Sequence, residues 1–341
     1  MMKKTIYKFF AFSLILFLFV SCTKKNSILK RTSLDIDSER DGMHLILGFS
    51  QIGTESSWRT YNTQCIMQAA QDAGIQIIME DAQQKQANQI KAIRSFIVYR
   101  VDVIAFVPIV EDGWDNVLRE AKEANIPVIV VDRKIRTKDK SLYAGFIGEN
   151  AYDEGKKAAD FLLSKYALSK QKLNILEISG TENSSVAKER SQAFHEKIAE
   201  DKRFTIIYKE SGDFLRSRGK EIVEQIIEKN GALKMYGQNV DIIFSHNDGM
   251  TLGILEALEK NSIAPGKDVC IVSIDGEQEC INALKEGKVN CVVECNPDIG
   301  KTLMFLVKNV ANKNTIPEAT YVQEGIFTEQ DDLYFMAPRG Y

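Results

Sequence analysis

The sequence predicts an α/β protein made of two doubly wound, parallel-sheet lobes of Rossmann-like construction, joined by a hinge that the chain crosses several times. Three observations carry this expectation. From residue 44 onward, apolar runs alternate with amphipathic stretches of helix length; strands and helices alternating in this way specify a parallel sheet with right-handed crossovers. The apolar runs are continuous Val/Ile/Phe segments, which is how strands buried on both faces read. The series restarts after about residue 148 without a Gly/Ser/Pro linker, so one module follows another in an unbroken chain.

Taken in order, "HLILGFS" (44–50) reads as a strand and "SSWRTYNTQCIMQAAQDAG" (56–74) as a helix closed by glycine. "IQIIMED" (75–81) is a strand, and a helix over 85–100 follows "QQKQANQ", a polar loop and helix start. "VDVIAFVPI" (101–109), a helix at 113–125 with Trp114 as packing, and "PVIVVD" (127–132) complete the first module. The second has helices at 151–167, from Ser184, and at 217–230, 249–262 and 277–287. Its strands are 173–179, 204–211, 240–248, 268–276 and 289–295; a helix over 297–312 and a strand near 320–328 end the chain. The first lobe is assigned residues 44–148 plus about 296–323, and the second 149–295 plus about 324–341.

The segment before residue 44 is kept out of the fold. Lys3 and Lys4 precede a short apolar run, Phe9 to Val20, too short to span a bilayer, which takes ~20 helical residues. "FVSC" resembles a bacterial lipoprotein cleavage site, with residues 1–22 as signal peptide and Cys22 as the lipidated residue; an uncleaved anchor is the alternative. Both place the protein outside the cytoplasm, at the periplasm or cell surface. Residues 23–43 are polar and charged and read as a tether with a reach of ~25 Å. A net charge of −3 carries no polyelectrolyte signature, so nucleic acid is not an expected partner. Cys291 and Cys295 fall four apart on a strand, ~13 Å, too far for one disulfide or metal. Buried thiols and no metal are expected, with a Cys280 disulfide left open.

In open parallel sheets, ligands bind beyond the carboxyl ends of the strands. The residues there are Ser50 to Arg59, Asp132–Arg133, Gly180 to Arg190, Asp213–Phe214, Asn247–Asp248, Asp275–Gly276 and Glu294. Rich in carboxylates, amides, guanidinium groups and aromatics, such a set suits a hydroxyl-rich molecule held between two lobes. Asp132 and Arg133 are neighbours on an extended chain and point to opposite faces, so they are poorly placed to neutralise each other.

"LILGFSQIGTESSWR", "DAQQKQANQIKAIRSFI", "IPVIVVDR", "SSVAKERSQAF", "SGDFLRSRGKE", "SHNDGM" and "VSIDG" occur in the order seen in periplasmic sugar-binding proteins of the ribose/galactose type. The chain resembles that family, and within it the galactofuranose binders, from about His44 to its final residues. The resemblance implies the type I periplasmic binding protein fold and a monosaccharide ligand. It carries ligand-binding roles onto Trp58, Arg59, Asp132, Arg133, Arg190, Phe214, Asn247 and Asp275, with Ser50 and Glu294 as further candidates. "SGTENSS" and Gly249 depart from the family's pattern and leave fine sugar selectivity open. Repressors of the same fold begin with a helix-turn-helix, absent here.

The chemistry is consistent with those roles. Carboxylates accept sugar hydroxyl hydrogens, guanidinium forks donate, and aromatic faces cover C–H patches. Plainer roles stand beside them: a hinge ion pair for Asp132–Arg133, a turn for Asp275, a helix cap for Asn247–Asp248. Core packing for Trp58 and Phe214 and an ion pair beside Glu189 for Arg190 are the others. Enzyme motifs are missing: "GFSQIG" is one residue too long for a nucleophile elbow, and no Walker loop appears. His44, His195 and His246 have no evident Ser or Cys partner, so no catalytic residue and no cofactor is assigned. The expected function is capture of a monosaccharide, furanose or hexose, by a monomer that hands it to an ABC permease. A sensor reporting occupancy to a membrane histidine kinase or chemoreceptor is the alternative.

Overall fold

The computed structural model describes residues 45–341; the signal segment, Cys22 and the 23–43 tether lie outside them. The first lobe runs β1 (Ile46–Gln51), α1 (Ser57–Asp72), β2 (Gln76–Asp81), α2 (Gln86–Tyr99), β3 (Val103–Phe106), α3 (Asp115–Glu123), β4 (Val128–Val131) and β5 (Gly145–Gly148). The second opens with α4 (Ala151–Lys165), β6 (Leu173–Ser179), α5 (Ser185–Ile198), β7 (Phe204–Ser211) and α6 (Arg216–Asn230). A small hairpin, β8 (Lys234–Met235) and β9 (Gln238–Asn239), leads to β10 (Ile242–Ser245) and α7 (Asp248–Lys260). Then come β11 (Cys270–Asp275), α8 (Gln278–Lys285), β12 (Cys291–Glu294), α9 (Gly300–Ala311), β13 (Ala319–Tyr321) and β14 (Ile326–Thr328).

The first sheet has the order β13-β5-β4-β3-β1-β2 and is parallel throughout. The second has the order β14-β12-β11-β10-β6-β7, parallel except for β14 against β12. The chain therefore passes between the sheets after β5, after β12 and between β13 and β14. Its α/β construction, doubly wound in both lobes, is the one the apolar periodicity predicts.

Burial explains the continuous runs: β3, β4 and β10 are buried at every residue. Trp114 packs in the first core with its ring 4.9 Å from Phe106. All five cysteines among the described residues are free, four of them buried, so the disulfide left open for Cys280 does not form.

Three elements differ from expectation. The strand β5 carries no strong apolar signal because Gly145 sits where a Cβ would come within 2.6 Å of the Pro317 carbonyl. Glycine there admits β13 alongside, at the cost of the side chains by which a strand is recognised. The single strand expected near 320–328 is two, β13 and β14, in different sheets, because the third crossing interrupts it. The β8–β9 hairpin is exposed and short, too small for a periodic signal.

Candidate functional site

Both sheets reverse their direction of winding beside their first strand, at β1/β3 and β6/β10. Such switch points open a crevice at the carboxyl ends of strands. There the two lobes line a pocket, about 300 Å³ with its open mouth included, formed by Glu55, Trp58, Arg59, Asp132, Arg133 and Arg190, and by Phe214, Asn247, Asp275 and Cys295; Ser56 and Val186 complete the wall.

Short side chains at helix starts aim these groups. Ser56 Oγ accepts from Arg59 N (3.2 Å), Ser184 Oγ from Ala187 N (3.2 Å) and Asn247 Oδ1 from Met250 N (3.0 Å). Each satisfies an orphan amide in the first turn of its helix and fixes where the chain enters from the strand. Asn247 is thus the cap of α7 as well as a wall residue, and its Nδ2 donates to the Phe214 carbonyl (3.3 Å).

The three guanidinium groups each have a carboxylate of their own. Arg59 Nη2 lies 2.5 Å from Asp132 Oδ2, Arg133 Nη2 2.6 Å from Glu55 Oε1, and Arg190 Nε 2.5 Å from Glu154 Oε2. Arg190 Nη1 also donates to the His246 carbonyl (2.6 Å), and its Nη2 is 4.0 Å from Asp275. Glu189, the helix neighbour considered for Arg190, pairs with Lys134 at 2.8 Å instead. Burial would raise the Asp132 carboxyl, but Arg59 and Arg133 outweigh it and hold it below the usual range. At Asp275 burial wins over Arg190, and the carboxyl is pushed well above that range.

These pairs leave hydrogen-bonding capacity unused. Arg59 Nε and Nη1 and Arg133 Nη1 are buried without a hydrogen-bond partner. Buried polar atoms are nearly always partnered, and leaving one unpaired costs about 1–3 kcal/mol. Several such atoms on one small cavity mark it as built for a polar guest. Trp58 and Phe214 supply its apolar walls: Arg59 stacks on the Trp58 ring (4.6 Å) and Arg133 on Phe214 (5.1 Å).

The lobes meet around this cavity. Trp58 N donates to Glu277 Oε1 (2.9 Å) and Trp58 Nε1 to the Cys295 carbonyl (2.7 Å). On the other flank Lys134 N donates to Ser185 Oγ (2.7 Å) and Glu111 N to the Asn183 carbonyl (3.0 Å).

Three wall residues hold left-handed backbone: Asp132 (φ 59°), Phe214 (φ 61°) and Asp275 (φ 137°). Non-glycine residues there are strained by about 1–3 kcal/mol and persist only where neighbours over-determine them. For Asp275 the neighbour is Asp248. Its Oδ2 accepts from Gly276 N (2.7 Å) and Glu277 N (2.6 Å), and its Oδ1 from Ser273 Oγ (2.5 Å). Burial lifts Asp248 to about 6 despite these bonds. Asp248→Ala therefore leaves two turn amides unpaired and is expected to cost on the order of 3 kcal/mol in denaturant unfolding. An unchanged unfolding midpoint would show that the turn holds Asp275 without it.

Two candidates from the sequence are not on the wall. Ser50 lies fully buried inside β1, which runs on to Gln51, so the chain first reaches the cavity at Glu55. Glu294 is turned to the C-terminal segment, where its carboxylate takes Gly325 N (2.8 Å) and Arg339 Nη2 (2.6 Å); its neighbour Cys295 is the wall residue. Glu55 was missed as an individual, since one acid in "GTESSWR" has no periodic signal; only its place between strand end and helix cap pointed to it. His246 is buried behind the wall, its Nε2 3.0 Å from Glu177 Oε1, and His195 contacts the same carboxylate. Glu154, Cys295 and Glu324 bring ligand-capable atoms within 4.8 Å of one another, a group that the sequence spacing did not reveal.

Residues 47–315 match the periplasmic binding protein domain. The chain belongs to the periplasmic binding protein family. Among curated relatives of this binding protein, the galactofuranose-binding protein YtfQ of Escherichia coli is 37% identical, over 86% of this chain and 91% of its own. A Mycobacterium smegmatis protein solved in complex with β-D-fucofuranose is 41% identical with a TM-score of 0.80, covering 84% of this chain and 91% of that one. The periplasmic component of the arabinose ABC transporter of Shewanella sp. ANA-3, solved with L-arabinofuranose, is 37% identical with a TM-score of 0.78 over 84% and 92%. The relatives are binding proteins rather than enzymes. No helix among the described residues is long and apolar enough to cross a membrane.

Proposed function

We propose that this binding protein captures one neutral monosaccharide in furanose form between its lobes and delivers it to the permease of an ABC importer. The carrying observation is the set of unpaired guanidinium donors on one pocket between the lobes, with the Asp132 carboxylate beside them. A sugar hydroxyl both donates and accepts, and charge-assisted bonds of this kind are stronger than neutral ones. Neutrality follows from the pairing: each of Arg59, Arg133 and Arg190 already has a carboxylate at 2.5–2.6 Å, so a ligand anion would find no free countercharge. The furanose relatives support the ring form, and the transporter relative favours import over sensing. Contacts made to both lobes only when they meet would make closure a population shift driven by the sugar. Ser50 and Glu294 take no direct part in this reading, whereas Glu55 does. The leader and Cys22 support a lipid anchor outside the cytoplasm.

Calorimetry against neutral furanoses, pyranoses, uronic acids and sugar phosphates tests it. Binding is expected for a neutral furanose, with the charged sugars at least about a hundredfold weaker, since an unpaired buried charge costs several kcal/mol. Tighter binding of a sugar acid, or no binding of any carbohydrate, overturns the reading.

A further inference from the structure

The pocket's own ion pairs each lie within one lobe. Among the described residues, the ion pairs that pass from lobe to lobe are Lys134–Glu189 and Lys188–Glu111. Both sit on the flank where Lys134 N meets Ser185 and Glu111 N meets Asn183. Lys134 Nζ, just past β4, lies 2.8 Å from both Glu189 carboxylate oxygens, and Lys188 Nζ contacts Glu111 Oε2. The pairs are crossed: the first lobe offers an acid and a base, and two consecutive residues of α5 offer the complementary base and acid. Their chain neighbours reach inward. Arg133 precedes Lys134 and Arg190 follows Glu189, and both guanidinium groups line the pocket.

Each partner is held in advance by its own lobe. Arg136 Nη2 donates to Glu111 Oε2 (3.2 Å) and to Asp112 Oδ2 (2.8 Å), and Arg136 N donates to the Glu111 carbonyl (2.8 Å). The Lys134 ammonium lies over the rings of Tyr321 (5.5 Å) and Phe146 (5.8 Å). Across the cleft, the Ser184 cap fixes the start of the helix that carries Lys188 and Glu189. Ordering two long side chains is what usually cancels a surface ion pair, and side chains already placed lose less entropy when the pair forms.

We propose that Glu111–Lys188 and Lys134–Glu189 form an electrostatic latch on the closed lobes, through which the affinity for an uncharged sugar falls as salt rises. The inference rests on the sugar-binding reading and adds to it a control made without touching the sugar, since none of the four residues lines the pocket. A neutral ligand brings no charge for salt to screen, so the salt dependence of its binding reports on the protein's own charges. The side chains of the pocket pairs are at most 6% exposed, and buried pairs are screened little. The latch side chains are 19–40% exposed, where dissolved ions reach them. Parting the lobes separates these opposite charges, so sugar release is the step that salt speeds.

The test is calorimetry in about 50 mM and about 500 mM sodium chloride, with the neutral furanose that binds most tightly in the calorimetric panel. The wild type is expected to bind at least about twofold more weakly at the higher salt. Glu189→Gln, which keeps the size and removes the charge, should bind more weakly than the wild type at the lower salt and approach it at the higher. The sharper variant combines Lys188→Glu with Glu189→Lys. It exchanges two neighbours on α5, leaves the net charge unaltered, and sets like charges against Glu111 and Lys134. At the lower salt it should bind at least about tenfold more weakly than the wild type, because like charges brought together across an interface are costly. It should then gain affinity as salt rises, a change of sign that loss of a merely structural contact would not produce. Wild-type affinity that ignores salt, or an exchange variant that binds like the wild type or is not strengthened by salt, overturns the latch and leaves the sugar-binding reading standing. No sugar binding by the wild type at either salt overturns that reading and this inference with it.

Discussion

Asp132→Ala is expected to weaken sugar binding by about a hundredfold or more and to lower the unfolding free energy by about 3–5 kcal/mol, the usual result of removing one partner from a buried ion pair. The substitution strands Arg59, whose Nη2 sits 2.5 Å from the lost carboxylate, and leaves Glu55 alone to offset burial of Arg133, where Asp132 had helped. Both guanidinium groups would be left nearly out of contact with water. The two readouts separate structure from recognition. Asp132→Asn keeps the size and one acceptor, so it should recover part of the stability while still losing affinity for the sugar. Calorimetry and urea unfolding on the two variants decide the matter. Wild-type affinity in Asp132→Ala would move the sugar away from this wall.

The second large effect comes from a residue that touches no ligand. A methyl group at Gly180 would lie 1.9 Å from Phe214 Cζ and within 2.3 Å of both Cε atoms. No rotamer of alanine avoids this, because the Cβ is fixed by the backbone. Phe214 cannot easily yield either: its backbone is already left-handed (φ 61°) and Arg133 lies over its ring. Gly180→Ala should therefore cost about 1–3 kcal/mol in stability, as overpacking does. It should also reduce sugar affinity by at least about tenfold, since an aromatic wall and the guanidinium stacked on it move together. The double-mutant cycle with Phe214→Ala sharpens this. With the ring gone, the added methyl should cost little, giving a coupling of the size seen for residues in contact. Additive effects of the two substitutions would show that Gly180 acts through something other than the ring.

The architecture was legible because burial writes a simple signal. Strands such as β3 and β4 are buried at every residue, so only apolar side chains fit, and the run and its length identify them. Helix starts were nearly as clear: Ser56, Ser184 and Asn247 are short acceptors at the points where chains leave strands. What escaped was structure without a local pattern. The strand β5 gives up side chains at Gly145 to let β13 approach, and β13 and β14 are three-residue strands split by a crossing.

The wall of the site was legible for a related reason. A strand-end residue that is charged and follows an apolar run has few places to go other than the crevice, which is how Asp132, Arg133 and Asp275 stood out. Ser50 and Glu294 shared that position in sequence without sharing the direction. Ser50 stays within its strand, and Glu294 is claimed by Arg339 from the C-terminal segment. Strand position along the chain does not say which neighbour will compete for a side chain.

The sequence alone thus determined the two-lobe α/β fold, the family, and the kinds of group gathered at the strand ends. These follow from periodicity and residue type, which act over a few neighbouring positions. Only the tertiary structure decided which acid pairs with which guanidinium, which of their atoms stay unpaired, and that Glu154, Cys295 and Glu324 meet from segments far apart in the chain. Those are contacts across sequence distances that leave no local trace, and their energies depend on desolvation, which exists only once the lobes have closed around them.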